Sequence, residues 1–353
     1  MTGRPGSTVR VGVLGCGEIA RYAHLRLLGR MPGVALVAAA DPDPEARRRA
    51  EAMGVPVHAT AEELLEREDL DAVVICAPTG VHADLARAAA RTGRHFFVEK
   101  PLATTLEDAR SVEAEARRAG VRAAVGFNRR FHPLCRQARD LLARGTIGRV
   151  RTVVTASCEP AAPGRTTSWR GSRASGGGVL LDLASHHLDL LRWFLDDEVV
   201  EVSASLSSDE AEDDSARLEL TMEGGAKVHG AFSFRGGYAD FLEFIGEEGS
   251  LRVDRHRPAL DLRRRRRRGY GIRRGWIVPT PDVVNWRTTR VFRRVREPSY
   301  GRSLRAFVER VRGRPSGPLA TLADGVRNVE IVVAAETSAR EGRPVSIAPP
   351  AED

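Results

Sequence analysis

The chain has 353 residues, 42% hydrophobic and 29% charged, which is enough length for two domains, each with its own core. No apolar run is long enough to span a membrane, the polar start and brief apolar run from Val9 do not make a secretory signal, and four widely spaced cysteines without a C-x-x-C pair suit a reducing cytoplasm. The net charge of +8 is concentrated between Arg252 and Arg314, with an unbroken arginine run at Arg263–Arg268, but the absence of a zinc-finger or RNP-type motif and an aromatic content of 5% argue against nucleic acid as the partner.

Over the first 125 residues, short apolar runs alternate with helical patterns. Strands are predicted at Val9–Leu14, Ala35–Ala40, Ala72–Cys76, His95–Val98 and Arg122–Phe127. Helices are predicted at Ile19–Arg30, Pro44–Met53, Ala61–Arg67, Val81–Arg91 and Leu106–Ala119. Near-continuous apolar strands in this rhythm imply a doubly wound parallel sheet covered on both faces.

Three stretches follow the ends of those strands. Gly15-Cys16-Gly17-Glu18-Ile19-Ala20 fits G-x-G-x-x-A after a strand and at the start of a helix. Gly15 serves a tight turn, Gly17 lets backbone approach a pyrophosphate, and the N–H groups around Glu18 and Ile19 face the phosphates. Asp41 ends the next strand, where a carboxylate accepts bonds from ribose hydroxyls and repels a 2′-phosphate. The expected cofactor is therefore NAD, with NADP possible. Ala77, Pro78 and Thr79 leave the Ala72–Cys76 strand at the edge where such sheets bind ligands, and His82 opens the next helix.

Glu99-Lys100-Pro101 leaves the fifth strand at the same edge. Lys100 is one of two lysines, with Lys227, in a chain that otherwise uses arginine for its basic side chains. A lysine offers a compact ammonium that can share its proton, which a guanidinium cannot. Glu99 is placed to reach the nicotinamide ribose or to orient Lys100.

Beyond about residue 148 the pattern changes to alternating segments: Val150–Ser157, Val199–Ser207, Ala216–Met222, Lys227–Phe234, Phe241–Ile245 and Ser250–Val253. They predict an antiparallel meander with one wet face. Helices are predicted at Val179–Leu195, Leu304–Val311 and Ala323–Arg340, while Arg255–Ser299 reads as a long loop or hairpin arm. The helix after Gly176-Gly177-Gly178 carries Asp182, His186 and Asp189 at i, i+4 and i+7, one face by helical period. A carboxylate and an imidazole one turn apart can address neighbouring hydroxyls and move a proton near neutral pH. No metal site is expected, because no second cluster completes a ligand set.

Together, "EKP" after the fifth strand and D-x-x-x-H behind a glycine triplet resemble the glucose–fructose oxidoreductase/inositol dehydrogenase (Gfo/Idh/MocA) family, from about Val9 to about Ile347. The resemblance implies a Rossmann domain over 1–127. It implies a C-terminal α/β domain with a large, open, mainly antiparallel sheet over 128–353, whose outer face makes a homo-oligomer, dimer or tetramer. It implies that Lys100 contacts the reacting oxygen, that His186 is the acid/base, and that Asp182 is its partner and substrate anchor. It places Trp169 and Arg170 near the nicotinamide, and Asn128, Arg130 and Tyr238 at the substrate. Departures are Ala184 where the family often has glycine, Thr79 for a common asparagine, the added His187, and the arginine-rich arm. The expected activity is hydride transfer between nicotinamide and a secondary alcohol or ketone of a sugar, cyclitol or sugar derivative. The alternatives are an NAD-assisted glycosidase or epimerase that recycles its cofactor, and a dinucleotide-sensing binding protein without catalysis.

Overall fold

The computed structural model describes residues 8–160, 168–255, 257, 259–265, 272–277 and 297–349. Contacts along the chain divide these into two units. The first takes the chain up to Asn128 together with Ala174–Gly176 and Glu297–Val329, and the second takes the rest.

Six strands build the first unit: β1 (Val9–Leu14), β2 (Val34–Ala40), β3 (Val57–His58), β4 (Ala72–Ile75), β5 (His95–Val98) and β6 (Ala123–Val125). Their order is β3-β2-β1-β4-β5-β6 and every pairing is parallel. The strand order reverses between β1 and β4, which opens a crevice at their carboxyl ends. β4 is buried at every position, as a parallel strand covered on both faces must be. Helices α1 (Leu25–Leu28), α2 (Pro44–Glu51), α3 (Ala61–Leu65), α4 (His82–Arg91) and α5 (Leu106–Arg118) follow the strands. Their starts are written in the sequence: Asp43, Thr60 and Thr105 each accept a bond from a backbone N–H of the first turn.

The second unit has α6 (Pro133–Ala143), β7 (Val150–Cys158), α7 (Ser185–Leu195), β8 (Val199–Ser207), β9 (Ser215–Met222), β10 (Lys227–Ser233), β11 (Ala239–Gly246), β12 (Gly249–Asp254), β13 (Leu260–Arg265) and β14 (Ile272–Ile277). Helix α8 (Pro298–Val311) belongs to the first unit; α9 (Leu322–Glu341) starts there and ends in the second, before β15 (Val345–Ser346). The nine strands run β14-β13-β12-β11-β7-β10-β9-β8-β15. All pairings are antiparallel except β7 with β10. One face holds the core, where Val153, Phe232, Leu242, Phe244 and Leu251 pack with Leu180, Leu188 and Leu191.

The expected fold class is the one that forms: a parallel Rossmann sheet, then a mainly antiparallel one. The described part of the Arg255–Ser299 segment includes the antiparallel pair β13–β14, which carries part of the arginine run; residues 256, 258, 266–271 and 278–296 lie outside the described residues. Two predicted helices differ in kind. Ile19–Arg30 contains a π-helical turn at Ala20–His24 before α1, and Val179–Leu195 contains one at Leu180–Ala184 before α7. Each extra residue per turn rotates the faces that follow.

Candidate active site

The residues expected to hold the cofactor lie in the first unit, around the crevice between β1 and β4. Gly15 has φ +93°, and a Cβ there would stand 2.7 Å from the Ala77 nitrogen, so only glycine lets the β1 turn lie against the β4 turn. A Cβ on Gly17 would meet nothing within 4 Å, which leaves that backbone open to a ligand. Glu18 is exposed and Ile19 half-buried as the helix begins. The Asp41 carboxylate accepts from Cys16 N at 2.6 Å and from Asp43 N at 2.8 Å. It is thereby fixed beside the glycine turn. Arg47, unremarked in the sequence, donates to the Asp41 and Pro42 carbonyls at 3.0 and 2.8 Å. Burial, and then Asp41, push the Cys16 thiol up to about 12, so it stays protonated.

At the next strand end, Thr79 is buried and backs onto the glycine triplet: a Cβ on Gly176 would stand 2.4 Å from Thr79 Cβ. Pro78 precedes the short turn that leads into α4. His82 does not face outward. It is buried, with Nε2 2.8 Å from the Ala77 carbonyl oxygen and Nδ1 2.8 Å from that of Pro101. Burial is the largest influence on its imidazole and lowers its affinity for a proton.

Lys100 is half-buried at the end of β5. The Glu99 carboxylate is turned to His24, with Oε1 2.7 Å from Nε2. His24 is a site residue that motif reading misses. Its signal is a lone histidine in an apolar helical stripe with Ala20 and Leu28, all three buried. Asn128, expected to face substrate, is buried, and its amide donates to Ser299 Oγ at 2.9 Å.

The second unit carries the remaining site residues. Along the helical segment from Leu181 to Leu191, Asp182 and His186 are half-buried and every other position is buried. Asp189 leaves the expected face. It is buried against Arg130, which donates from Nε at 3.0 Å and from Nη2 at 2.6 Å. Arg130 is itself buried and held in that fork. Arg170 Nε lies 3.8 Å from Asp182 Oδ2, and its guanidinium carbon lies 4.8 Å from the centre of the Trp169 ring. A Cβ on Gly177 would stand 2.2 Å from the Arg170 carbonyl oxygen, so glycine is what lets the Trp169–Arg170 turn approach. Trp169, Arg170, Asp182 and His186 thus belong to one neighbourhood, with the glycine triplet behind it. Tyr238 is 77% exposed.

His187 anchors the opposite side of α7. Its Nδ1 is 2.5 Å from Thr155 Oγ1 and its Nε2 3.1 Å from Asp240 Oδ1. Asp240 also receives Arg129 at 3.1 Å and Arg255 at 2.7 Å. Burial raises the Asp240 carboxyl, but the two guanidinium groups and His187 outweigh it and hold the group well below the usual range. Among the described residues no cluster of His, Cys, Asp and Glu could hold a metal ion, and no helix is long and apolar enough to cross a membrane.

Known proteins match both parts of the chain. Residues 9–127 match the family described as "Oxidoreductase family, NAD-binding Rossmann fold", and residues 135–252 match the "GFO/IDH/MocA C-terminal domain". The chain is 30% identical to an inositol 2-dehydrogenase of Rhizobium meliloti over 97% of its own length and 100% of that protein. It is 32% identical to a dTDP-3,4-didehydro-2,6-dideoxy-alpha-D-glucose 3-reductase of Streptomyces antibioticus over 74% of its length and 82% of the other. The solved structure of the WlbA dehydrogenase from Bordetella pertussis, in complex with NADH and UDP-GlcNAcA, superimposes with a TM-score of 0.83 at 25% identity, covering 98% of this chain and 99% of that one.

Proposed function

The chain belongs to the Gfo/Idh/MocA family of NAD-binding oxidoreductases, and from that premise we propose that it acts on a secondary alcohol or ketone of a sugar, cyclitol or sugar derivative. It is an NAD(P)-dependent oxidoreductase of CH–OH groups. The residues present fit the dinucleotide: a glycine turn that a Cβ would block, an open backbone at Gly17, and a carboxylate fixed at the end of β2. The bound nicotinamide supplies hydride transfer. The protein supplies binding, orientation and the proton.

The observation that carries the substrate reading is the pair Asp182 and His186, the two positions left accessible on a helix otherwise buried from Leu181 to Leu191. In the oxidative direction His186 accepts the hydroxyl proton at a ring nitrogen. Asp182, with Arg170 beside it, anchors a neighbouring hydroxyl. The Lys100 ammonium stabilises the substrate oxygen as it gains charge. A second copy of the chain is the expected partner, through the outward sheet face where Val154 and Ile245 are 37% and 40% exposed.

A panel of sugars, cyclitols, glycosides and nucleotide sugars, with NAD and with NADP, read at the NADH absorbance, tests the activity. Net NADH accumulation is expected; turnover without it points to a glycosidase or epimerase that recycles its cofactor. On the active substrate, His186→Ala should lose roughly 10²–10⁴-fold in kcat. Lys100→Arg should lose turnover strongly with NAD affinity nearly intact. An arginine variant at wild-type rate would remove Lys100 from the chemistry.

A further inference from the structure

Lys100 has one residue on each side, and each of those residues is tied down by a buried histidine. On one side, the Glu99 carboxylate meets His24 Nε2 at 2.7 Å. On the other, the Pro101 carbonyl meets His82 Nδ1 at 2.8 Å. His24 comes from the π-helical turn after β1 and His82 from the first turn of α4 after β4. The sheet order here is β1-β4-β5, so the neighbouring strand and the one beyond it are each followed by a histidine that reaches the segment leaving β5. Neither imidazole is open to solvent: His24 is 0% and His82 1% exposed. The His24 ring is held by Phe97 and Tyr300, with ring centres 6.1 and 5.9 Å away. Glu99 in turn fills the space over Gly126, where a Cβ would stand 3.0 Å from its Oε2. His82 also reaches the Ala77 carbonyl through Nε2, which joins the Lys100 segment to the Ala77–Thr79 turn.

A buried imidazole is a costly way to fill space, since its polar atoms must find partners. Here the partners are the two peptide neighbours of one lysine. Steric filling alone needs an apolar ring, not a donor aimed at Glu99 and another aimed at Pro101. A neutral ring donates through one nitrogen at a time, so the two tautomers of His82 hold one carbonyl each and the imidazolium holds both. The charged groups that bear on that ring are Glu99, which favours its proton, and Lys100, which opposes it.

We propose that His24 and His82 are positioning residues that fix Lys100 from both sides, His24 through the Glu99 carboxylate and His82 through the Pro101 carbonyl. Neither touches the reacting atoms. They hold the backbone on which the lysine turns, so that its ammonium reaches the substrate oxygen without a conformational search. This rests on the reading of Lys100 given above, and the test separates the two.

The chain has two lysines, Lys100 and Lys227, and Lys227 lies exposed on β10. A sample labelled with 13C at lysine therefore shows two side-chain spin systems, which Lys100→Met assigns by difference. In His82→Phe and His24→Phe the Lys100 resonances should shift and narrow toward those of a mobile chain, with Lys227 unmoved. On the active substrate, kcat should fall about tenfold or more in each variant, while the Kd for NAD changes less than about threefold. His82→Gln and His24→Gln, which keep one donor, should recover most of the loss. In a Lys100→Met background, His82→Phe should cost little more, because residues acting as a unit are not additive. Unchanged Lys100 resonances in both phenylalanine variants would overturn the proposal, as would additive losses in the double variant. If Lys100→Met itself keeps full turnover, the catalytic reading of Lys100 fails instead, and the spectra alone judge the tethering.

Discussion

Asp41 is the residue on which cofactor choice is expected to turn, and its surroundings sharpen what a change there should do. Both carboxylate oxygens are held by backbone N–H groups, from Cys16 and Asp43, so the charge is fixed where an adenosine ribose would lie. Arg47 already sits on the adjacent carbonyls. The Asp41 carboxylate would oppose a 2′-phosphate, while the Arg47 guanidinium stands near. Asp41→Ser alone, with no arginine added, should raise the NADP-to-NAD ratio of kcat/KM by roughly tenfold or more, the equivalent of about 1.4 kcal/mol. Steady-state kinetics with both cofactors checks it; equal wild-type efficiency with the two would already remove Asp41 as the selector. Asp41 was legible because strand, glycines and acid come in a fixed order. Arg47 was not, in a chain so rich in arginine that no single one stands out. His24 was overlooked for a related reason. A histidine among alanines and leucines gives no hint of which carboxylate it will meet, since Glu99 is far away in the sequence.

At the scale of elements, the helix that carries Asp182 and His186 was visible as a helix, and its start behind three glycines was visible too. Its π turn was not, because an extra residue in one turn leaves the apolar pattern on both sides intact. Asp189, on the regular helix beyond that turn, is buried against Arg130 instead of standing with the pair. The triplet itself divides its work: Gly176 accommodates Thr79, and Gly177 accommodates the backbone of Arg170. Gly177→Ala puts a methyl group 2.2 Å from the Arg170 carbonyl oxygen, so the Trp169–Gly171 turn must move and take Arg170 away from Asp182. A displacement on the order of 1 Å at such a group costs up to about 10²-fold in turnover. The expected outcome is a fall in kcat of that order, measured by steady-state kinetics. Wild-type kcat in Gly177→Ala would show that the turn has room to spare.

For the molecule as a whole, buried ionisable groups set how stability follows pH. His187 sits wholly inside the second unit, and burial lowers its affinity for a proton against the opposing pull of Asp240. The unfolded chain binds that proton at a pH near 6.5 while the folded chain does so only lower. As pH falls below about 6.5 the unfolded state takes up the extra proton, and stability declines by up to about 1.4 kcal/mol per pH unit for this one group. Asp240 acts at the other end: its depressed carboxyl contributes stability above about pH 4, lost as pH falls toward its folded value. Thermal midpoints should be flat between about pH 7 and 8, decline as pH falls below about 6.5, and decline further below about 4. His187→Phe should lower the midpoint at pH 7 and flatten the middle region; an unchanged slope there would place the titration on another group. The two-sheet architecture was legible from periodicity alone. The parallel pairing of β7 with β10 inside the second sheet was not, since alternation reports which face a strand buries and not which way it runs.

The cofactor unit is closed by chain that comes last. Helix α8 joins that unit through Ser299 Oγ, which accepts from the Asn128 amide, through Arg310, which donates to the Ala123 carbonyl, and through the Val311 carbonyl, which accepts from Arg122, and Phe307 lies 5.7 Å from Phe97. On the ribosome, the first 128 residues emerge with those surfaces uncovered. They stay so until the whole nine-stranded sheet has been translated, except for its last strand β15. A nascent chain thus holds an unfinished nucleotide fold through most of its synthesis, and a premature stop between Arg129 and Arg296 also deprives the first unit of its closing helix. Biosynthesis makes the two units one quality-controlled object: a chain that has completed its dinucleotide fold has necessarily already translated the residues proposed to meet the substrate.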